Sequence, residues 1–185
     1  MKRHIILLLS LFFAVAYVYS SENGKKEEFT LYSKSFRSGH TMPAYLATLK
    51  VKGGKNKSPS LYWKNIPDGT KSFALICIDL HPVAKRWVHW MVINIPAGSD
   101  HIVSGASPDN MPEGSVELYN SFGNLGWGGP QPPKGTGLHK YLFKLYALKS
   151  EKLPAGISNE KEFNAAVKKA GIAGRAVCYG FFRQD

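Results

Sequence analysis

The stretch SFALICIDL, residues 72–80, is apolar until Asp79 and has turn residues on both sides. A mainly apolar run of nine residues between turns is typical of a buried β-strand, since a buried helix is usually longer. Because side chains alternate across a strand, one face is expected to carry Phe73, Leu75, Cys77 and Asp79. A carboxylate is costly to bury without a partner, so Asp79 is a candidate functional residue.

Two more stretches predict strands that each contain a histidine. In WVHWMVINI, residues 87–95, alternation places His89 on one face with Met91 and Ile93. The stretch HKYLFKLYAL, residues 139–148, begins with a second histidine. Its expected face is formed by His139, Tyr141, Phe143 and Leu145.

The remaining elements make the chain mainly β. Alternating residues predict an opening strand at 29–36, and short apolar runs predict strands at 60–63 and 175–182. One helix is predicted to begin after Asn159, which has a glutamate three residues later, and to end at Gly171. Many strands with one clear helix make the fold class mainly β and predict two packed sheets.

A long connection, residues 98–137, separates the strands that carry the two histidines. It is rich in Gly, Pro, Asn and Ser, and connections of this length are usually functional or disordered. Its aromatic residues Tyr119, Phe122 and Trp127 argue against disorder. We therefore expect an ordered connection with a role in function.

The N-terminus has the pattern of a secretory signal peptide. Two basic residues precede an apolar run at 5–19, and small residues stand before a cut after Ser20. Residues 1–20 are accordingly predicted as a signal peptide, 21–28 as a flexible lead-in and 29–185 as one domain. The protein is expected to be exported, either periplasmic or secreted, with a retained N-terminal membrane anchor as the alternative.

The chain is basic, with a net charge of +11 that becomes +9 without the signal peptide. Such a charge attracts anions, including lipid headgroups. The lysines are scattered singly and in pairs, whereas a dedicated polyanion site would show a longer run. We therefore expect no nucleic-acid partner and at most peripheral membrane contact.

The chain contains two cysteines, Cys77 and Cys178. Each lies in an apolar, strand-like run, where a free cysteine packs as a small hydrophobic residue. Two buried thiols are therefore favoured, although export would permit a disulfide. The choice stays open at this stage because pairing depends on the Cα separation.

Three segments together resemble one known family. They are NKSPSLYW at 56–63, Asp79 followed ten residues later by His89-Trp90, and GGPQPPKGTGLHKY at 128–141. In this order and spacing they resemble the phosphatidylethanolamine-binding protein family, also called Raf kinase inhibitor protein-like. The resemblance extends from Phe29 to the C-terminus.

The resemblance implies a mainly β fold in which a large antiparallel sheet packs on a smaller one, with helices at the periphery. It also implies a small anion pocket at one end. In the family this pocket accepts phosphate, acetate or a phosphorylated headgroup. By position in the matching motifs, the pocket residues would be Asp79, His89, Gly129, Pro130, His139 and Tyr141. Two histidines and a tyrosine are suitable donors to an anion, and Gly-Pro backbone amides can form an anion-binding nest.

One segment departs from the family pattern. Where the family has D-P-D/E-A-P, this chain has Asp79-Leu80-His81-Pro82-Val83. The change removes one negative charge and adds His81, which we include among the ligand-binding candidates. Anion affinity is expected to rise below about pH 6.5, where an unperturbed histidine is mostly protonated.

The predicted function is the binding of a small anion or phosphorylated headgroup, with a possible effect on a partner protein that the sequence does not identify. Zinc could be held by Asp79 and three histidines, but the family is not a metalloprotein family, so no metal or other cofactor is expected. The protein is not predicted to be an enzyme, since no G-x-S-x-G motif occurs. The alternatives are a weak hydrolase or phosphoesterase using the histidine pair, and an inhibitor that docks by its Gly/Pro loops.

Overall fold

The computed structural model describes residues 27–185 of the chain. These residues form eight strands and one α-helix. The strands are β1 (Thr30–Tyr32), β2 (Leu61–Lys64), β3 (Ser72–Asp79), β4 (Val88–Pro96), β5 (His101–Ile102), β6 (Val116–Glu117), β7 (His139–Leu148) and β8 (Ile172–Phe182). The helix is α1 (Glu160–Ala170), and single 3₁₀ turns occur at Ala44–Leu46 and Pro82–Ala84.

The strands form two antiparallel sheets, as the sequence predicts. The small sheet has the order β1-β2-β5 and the large sheet the order β6-β4-β3-β7-β8. One face of the large sheet packs on the small sheet, where Phe73 contacts Trp63 and Phe143 belongs to the same buried cluster. The other face packs on α1 through Phe163 and Val167. The mainly β prediction is therefore confirmed, with helical structure at the periphery.

The strand β3 is the centre of the large sheet and is buried along its whole length. Asp79 ends this strand and pairs in register with Tyr141 of β7. His139 begins β7 two residues earlier. Because side chains two apart on a strand share a face, His139 and Tyr141 lie beside the Asp79 carboxylate at one end of the sheet.

The prediction that His89 shares a face with Met91 and Ile93 is wrong. The β3–β4 pairing shifts register here, since Cys77 pairs with Trp90 but Ile78 pairs with Val88. The shift leaves His89 as the extra residue of a β-bulge, which re-aims its side chain. His89 contacts Tyr141, whereas Met91 and Ile93 pack on the side of the sheet that faces α1.

Several boundaries differ from the sequence prediction. The opening strand at 29–36 is reduced to β1, and the closing strand begins three residues earlier, at Ile172. The connection at 98–137 contains only the two-residue strands β5 and β6, yet it is anchored by the buried side chains of Asn120 and Trp127. The helix begins as predicted, with the Asn159 side chain accepting a hydrogen bond from the Glu162 amide.

The predicted signal peptide and most of the predicted lead-in, residues 1–26, lie outside the described residues. Among residues 27–185, no helix has the length and apolar character needed to cross a membrane. Cys77 and Cys178 are both buried and free.

Candidate anion-binding site

A cavity of about 600 Å³ opens at the end of the large sheet where β3 stops and β7 starts. Its polar base is formed by Asp79, His89, His139 and Tyr141. Its walls come from three loop segments, namely residues 83–87, Ser121-Phe122 and Gln131-Pro132-Pro133. The structure therefore brings the acid and both predicted histidines into one site.

A buried ion pair joins two of these residues. The Asp79 Oδ2 atom lies 2.6 Å from His139 Nδ1, and Asp79 Oδ1 accepts a hydrogen bond from the His81 amide at 2.9 Å. Both side chains of the pair are almost completely buried. Each Asp79 oxygen thus has a partner within the protein, as a buried carboxylate requires.

The second ring nitrogen of His139 is also engaged by the protein. His139 Nε2 lies 2.9 Å from the Thr136 hydroxyl, which donates its single hydrogen to the Pro133 carbonyl at 2.6 Å. The hydroxyl can therefore only accept from Nε2, while the Asp79 carboxylate accepts from Nδ1. This pattern is satisfied by a His139 ring that carries a proton on both nitrogens.

His89 has the opposite hydrogen-bond character. Its Nδ1 lies 2.6 Å from the Gly128 carbonyl, and a carbonyl can only accept. Burial lowers the His89 pKa from 6.5 to about 4, although the Gly128 carbonyl and the Asp79 charge oppose the shift. The ring is therefore neutral near pH 7, and its Nε2 is a hydrogen-bond acceptor. This differs from the expectation that both histidines donate to an anion.

The Tyr141 hydroxyl is the unsatisfied group of the site. Its oxygen is buried and makes no hydrogen bond of regular geometry among residues 27–185, although the Asp79 carboxylate lies close to it. Burial, followed by the nearby Asp79 charge, raises the Tyr141 pKa far above its usual value. The hydroxyl therefore remains protonated, and it can donate a hydrogen bond to a group in the cavity.

His81 lies outside the cavity and packs against His139, one of the residues at the polar base of the cavity. Its ring stacks on the His139 ring at a centroid distance of 3.9 Å and an interplanar angle of 17°. His81 Nδ1 accepts from the Val83 amide at 3.3 Å, so this nitrogen carries no proton. Within residues 27–185, no group of three or more His, Cys, Asp or Glu side chains is arranged to hold a metal ion.

Gly129 and Pro130 lie one layer behind the cavity wall. The Gly129 amide donates to Asn56 Oδ1 at 2.7 Å, and the Pro130 carbonyl accepts from the Thr48 amide at 3.2 Å. A Cβ atom on Gly129 would lie 2.1 Å from the Leu46 carbonyl oxygen. Only glycine permits this close backbone approach, which positions the lining residues that follow.

The lip of the cavity, residues 83–87, was not predicted from the sequence. Lys85 and Arg86 both have left-handed backbones, with φ of 48° and 63°. Arg86 Nε is held 2.9 Å from Glu160 of α1. Trp87 meets Phe122 edge to face, with ring centroids 5.2 Å apart. Two consecutive non-glycine residues with left-handed backbones have no sequence signature, so the lip could not be predicted. Phe122, in contrast, lies in the connection at 98–137, for which the sequence predicted a functional role.

Comparison with known proteins shows the family of the chain. Residues 32–182 match the profile of the family described as phosphatidylethanolamine-binding protein. The chain belongs to this family. The UPF0098 protein of Methanothermobacter thermautotrophicus is 40% identical over 134 residues, covering 71% of this chain and 85% of its own length.

Two further relatives of the chain are bacterial proteins. YbcL of Escherichia coli is 47% identical over 105 residues, 55% of this chain and 57% of that protein. Its crystal structure matches with a TM-score of 0.79 and 33% identity, covering 86% of this chain and 100% of the crystallised one. The lipoprotein-named LppC of Mycobacterium tuberculosis is 34% identical over 152 residues, 82% of this chain and 71% of that protein.

Proposed function

We propose that the protein binds a small anion or a phosphorylated headgroup, with the acid group of the ligand at Tyr141 and His89. The observation that carries this proposal is the buried hydroxyl of Tyr141, a residue that lines the cavity; this hydroxyl has no hydrogen-bond partner among residues 27–185. Buried polar groups in folded proteins are nearly always hydrogen-bonded. An acceptor oxygen of a ligand would satisfy this donor.

The size and lining of the cavity support a ligand larger than a free ion. A volume of about 600 Å³ lies within the range of small-molecule sites, about 300–1,000 Å³. Trp87 and Phe122 supply apolar surface to the walls, and Lys85 supplies a cation at the lip. We infer that the acid group reaches the base, while the remainder of the ligand packs on the aromatic wall.

Binding is favoured over hydrolysis by the hydrogen bonds of the histidine pair. A general acid or base must reach the proton that it transfers. Both His139 nitrogens are engaged within the protein, by Asp79 and Thr136. The low pKa of His89, about 4, makes it a weak base. These contacts support a ligand-binding role for the two histidines.

The test is calorimetric titration of the protein with phosphate and phosphoethanolamine. Removing the donor with Tyr141→Phe should weaken binding by about 10- to 100-fold, the usual cost of a hydrogen bond to a charged group. Tyr119→Phe is the matched control, since the exposed Tyr119 lies outside the cavity lining. The proposal fails if neither ligand binds, or if the Tyr141 and Tyr119 variants bind equally well.

We also propose that the protein acts after export. The signal-like pattern at residues 1–20 and the similarity to a lipoprotein-named relative support this location. N-terminal sequencing of the protein from fractionated cells should give a chain that begins at Ser21 outside the cytoplasm. An uncut N-terminus in the cytoplasmic fraction would refute export.

A further inference from the structure

We propose that the cavity selects acids that retain a proton, so that a phosphate group binds with one P–OH and a fully deprotonated tetrahedral anion is disfavoured. This inference rests on the proposed function and specifies the ionic form of the ligand. It follows from the pairing of one donor with one acceptor at the base of the cavity.

The acceptor is His89 Nε2. The bond from Nδ1 to the Gly128 carbonyl, at 2.6 Å, fixes the proton on Nδ1 and leaves a lone pair on Nε2. The Gly128 amide also donates to the His89 carbonyl at 2.8 Å. Two hydrogen bonds therefore join the residues, and His89 cannot change tautomer without losing its partner.

The donor is the hydroxyl of Tyr141, whose ring packs against the His89 ring. The rings of His89 and Tyr141 meet edge to face with centroids 4.9 Å apart, and both residues line the cavity. An anion without a proton would accept from Tyr141 but would place an oxygen lone pair against Nε2. A group with one P–O⁻ or P=O and one P–OH satisfies both atoms.

The surrounding charges do not remove this requirement. From β3, Asp79 faces His89 as a carboxylate, and from β7 the neighbours are His139 and the neutral Tyr141. Asp79 and His139 form one ion pair, so their charges largely offset each other. The segment beyond Trp127 contributes backbone carbonyls, and the lip contributes Lys85 and the Glu160-paired Arg86. A ligand that lacks a proton must therefore take up one proton from solvent when it binds.

Three simple probes separate the possibilities. Hydrogen phosphate retains one hydroxyl throughout the neutral range. A phosphomonoester such as phosphoethanolamine loses its last acidic proton with a pKa of about 6. Sulfate has the same shape as phosphate but carries no proton. The probes therefore vary the proton while the tetrahedral anion is kept.

The experiment is calorimetry of the wild-type protein with each probe at pH 5.5, 7.0 and 8.5. Sulfate should bind at least about tenfold more weakly than phosphate at pH 7, the cost of an unmade hydrogen bond. Phosphoethanolamine affinity should fall by about tenfold per pH unit above its pKa. Titrations in two buffers of different ionisation enthalpy should show uptake of about one proton with this probe at pH 8.5 and none with phosphate.

The result that overturns the proposal is equal binding of sulfate and phosphate, or phosphoethanolamine binding without proton uptake at pH 8.5. If this occurs while Tyr141→Phe still weakens binding, the proposed function stands and only the proton requirement fails. If none of the probes binds at any pH, both proposals fail.

The ring tautomer gives an independent test that needs no variant. Nitrogen-15 spectra of the histidine rings at pH 7 should show His89 with a proton on Nδ1 and a bare Nε2, whose shift moves when phosphate is added. A proton on Nε2 in the ligand-free protein would refute the acceptor role directly.

Discussion

His89 is the side chain whose protonation most directly opposes folding. Burial lowers its pKa from 6.5 to about 4, so between these values the unfolded chain binds a proton that the folded chain excludes. Stability should therefore fall as the pH drops from about 6.5 to about 4, by up to about 3 kcal/mol, and this contribution should not grow at lower pH.

The variant His89→Asn isolates this contribution. Asparagine can still donate to the Gly128 carbonyl but does not titrate. Urea unfolding at pH 7 and pH 4 should show a smaller loss of stability in His89→Asn than in the wild type, by about 3 kcal/mol. His40→Asn, at an exposed position, should keep the wild-type dependence. Parallel curves for His89→Asn and the wild type would contradict the assignment.

Thr136 is a positioning residue for His139, and the chain contains its own control. Thr136 and Thr70 each donate to the carbonyl of a proline three residues earlier, at 2.6 Å in both cases. Only Thr136 also accepts from a histidine ring. Because loss of that acceptor leaves a buried N–H without a partner, Thr136→Val should cost about 1–2 kcal/mol more than Thr70→Val. Equal unfolding free energies for the two variants would show that the His139 contact contributes nothing.

At the scale of elements, the sequence predicts the strands better than the direction of every side chain. The faces predicted for β3 and β7 are confirmed, because each strand alternates without interruption from Phe73 to Asp79 and from His139 to Leu145. The face of β4 could not be predicted, since the bulge at His89 arises from its pairing with β3. The family resemblance identified His89 as a candidate pocket residue, whereas period-two alternation placed its side chain on the wrong side of the sheet.

The lip is the element whose backbone differs most from its sequence preference. Lys85 has a φ of 48°, and a left-handed backbone costs a residue with a Cβ atom about 1–2 kcal/mol. Lys85→Gly should therefore be more stable than Lys85→Ala by about 1 kcal/mol, as measured by urea unfolding. In the middle of α1 the sign should reverse, with Ala165→Gly costing about 1 kcal/mol. If glycine is less stable than alanine at position 85 as well as at position 165, the lip carries no backbone strain.

At the scale of the molecule, the site is assembled from segments that lie far apart in sequence. Asp79 and His139 meet because β3 and β7 are neighbours in the large sheet, and the family resemblance was the only sequence-level evidence for this. The lip and Thr136 were not predicted, because their positions depend on the Glu160 contact and on the loop before β7. Tertiary contacts of this kind leave no periodic signal in the chain.

The same sheet order determines the state of the two cysteines. Cys77 of β3 and Cys178 of β8 both pair in register with Phe143, on opposite sides of β7. Neighbouring strands are about 4.8 Å apart, so two strand spacings exceed the ~7 Å limit for the Cα atoms of a disulfide. Both side chains are buried and free, as the sequence favoured.

Two thiols should therefore be present in the folded protein but unreactive. Burial raises the pKa of both, that of Cys178 to about 12, and the thiolate is the reactive form. A thiol reagent should label neither cysteine in the native protein at pH 8. In denaturant without reductant it should label both cysteines of the wild type and one cysteine of Cys178→Ala. A reductant should leave the melting temperature unchanged. Fewer than two thiols in the unreduced, denatured wild type would mean that the cysteines pair, which the β3-β7-β8 order does not permit within one chain.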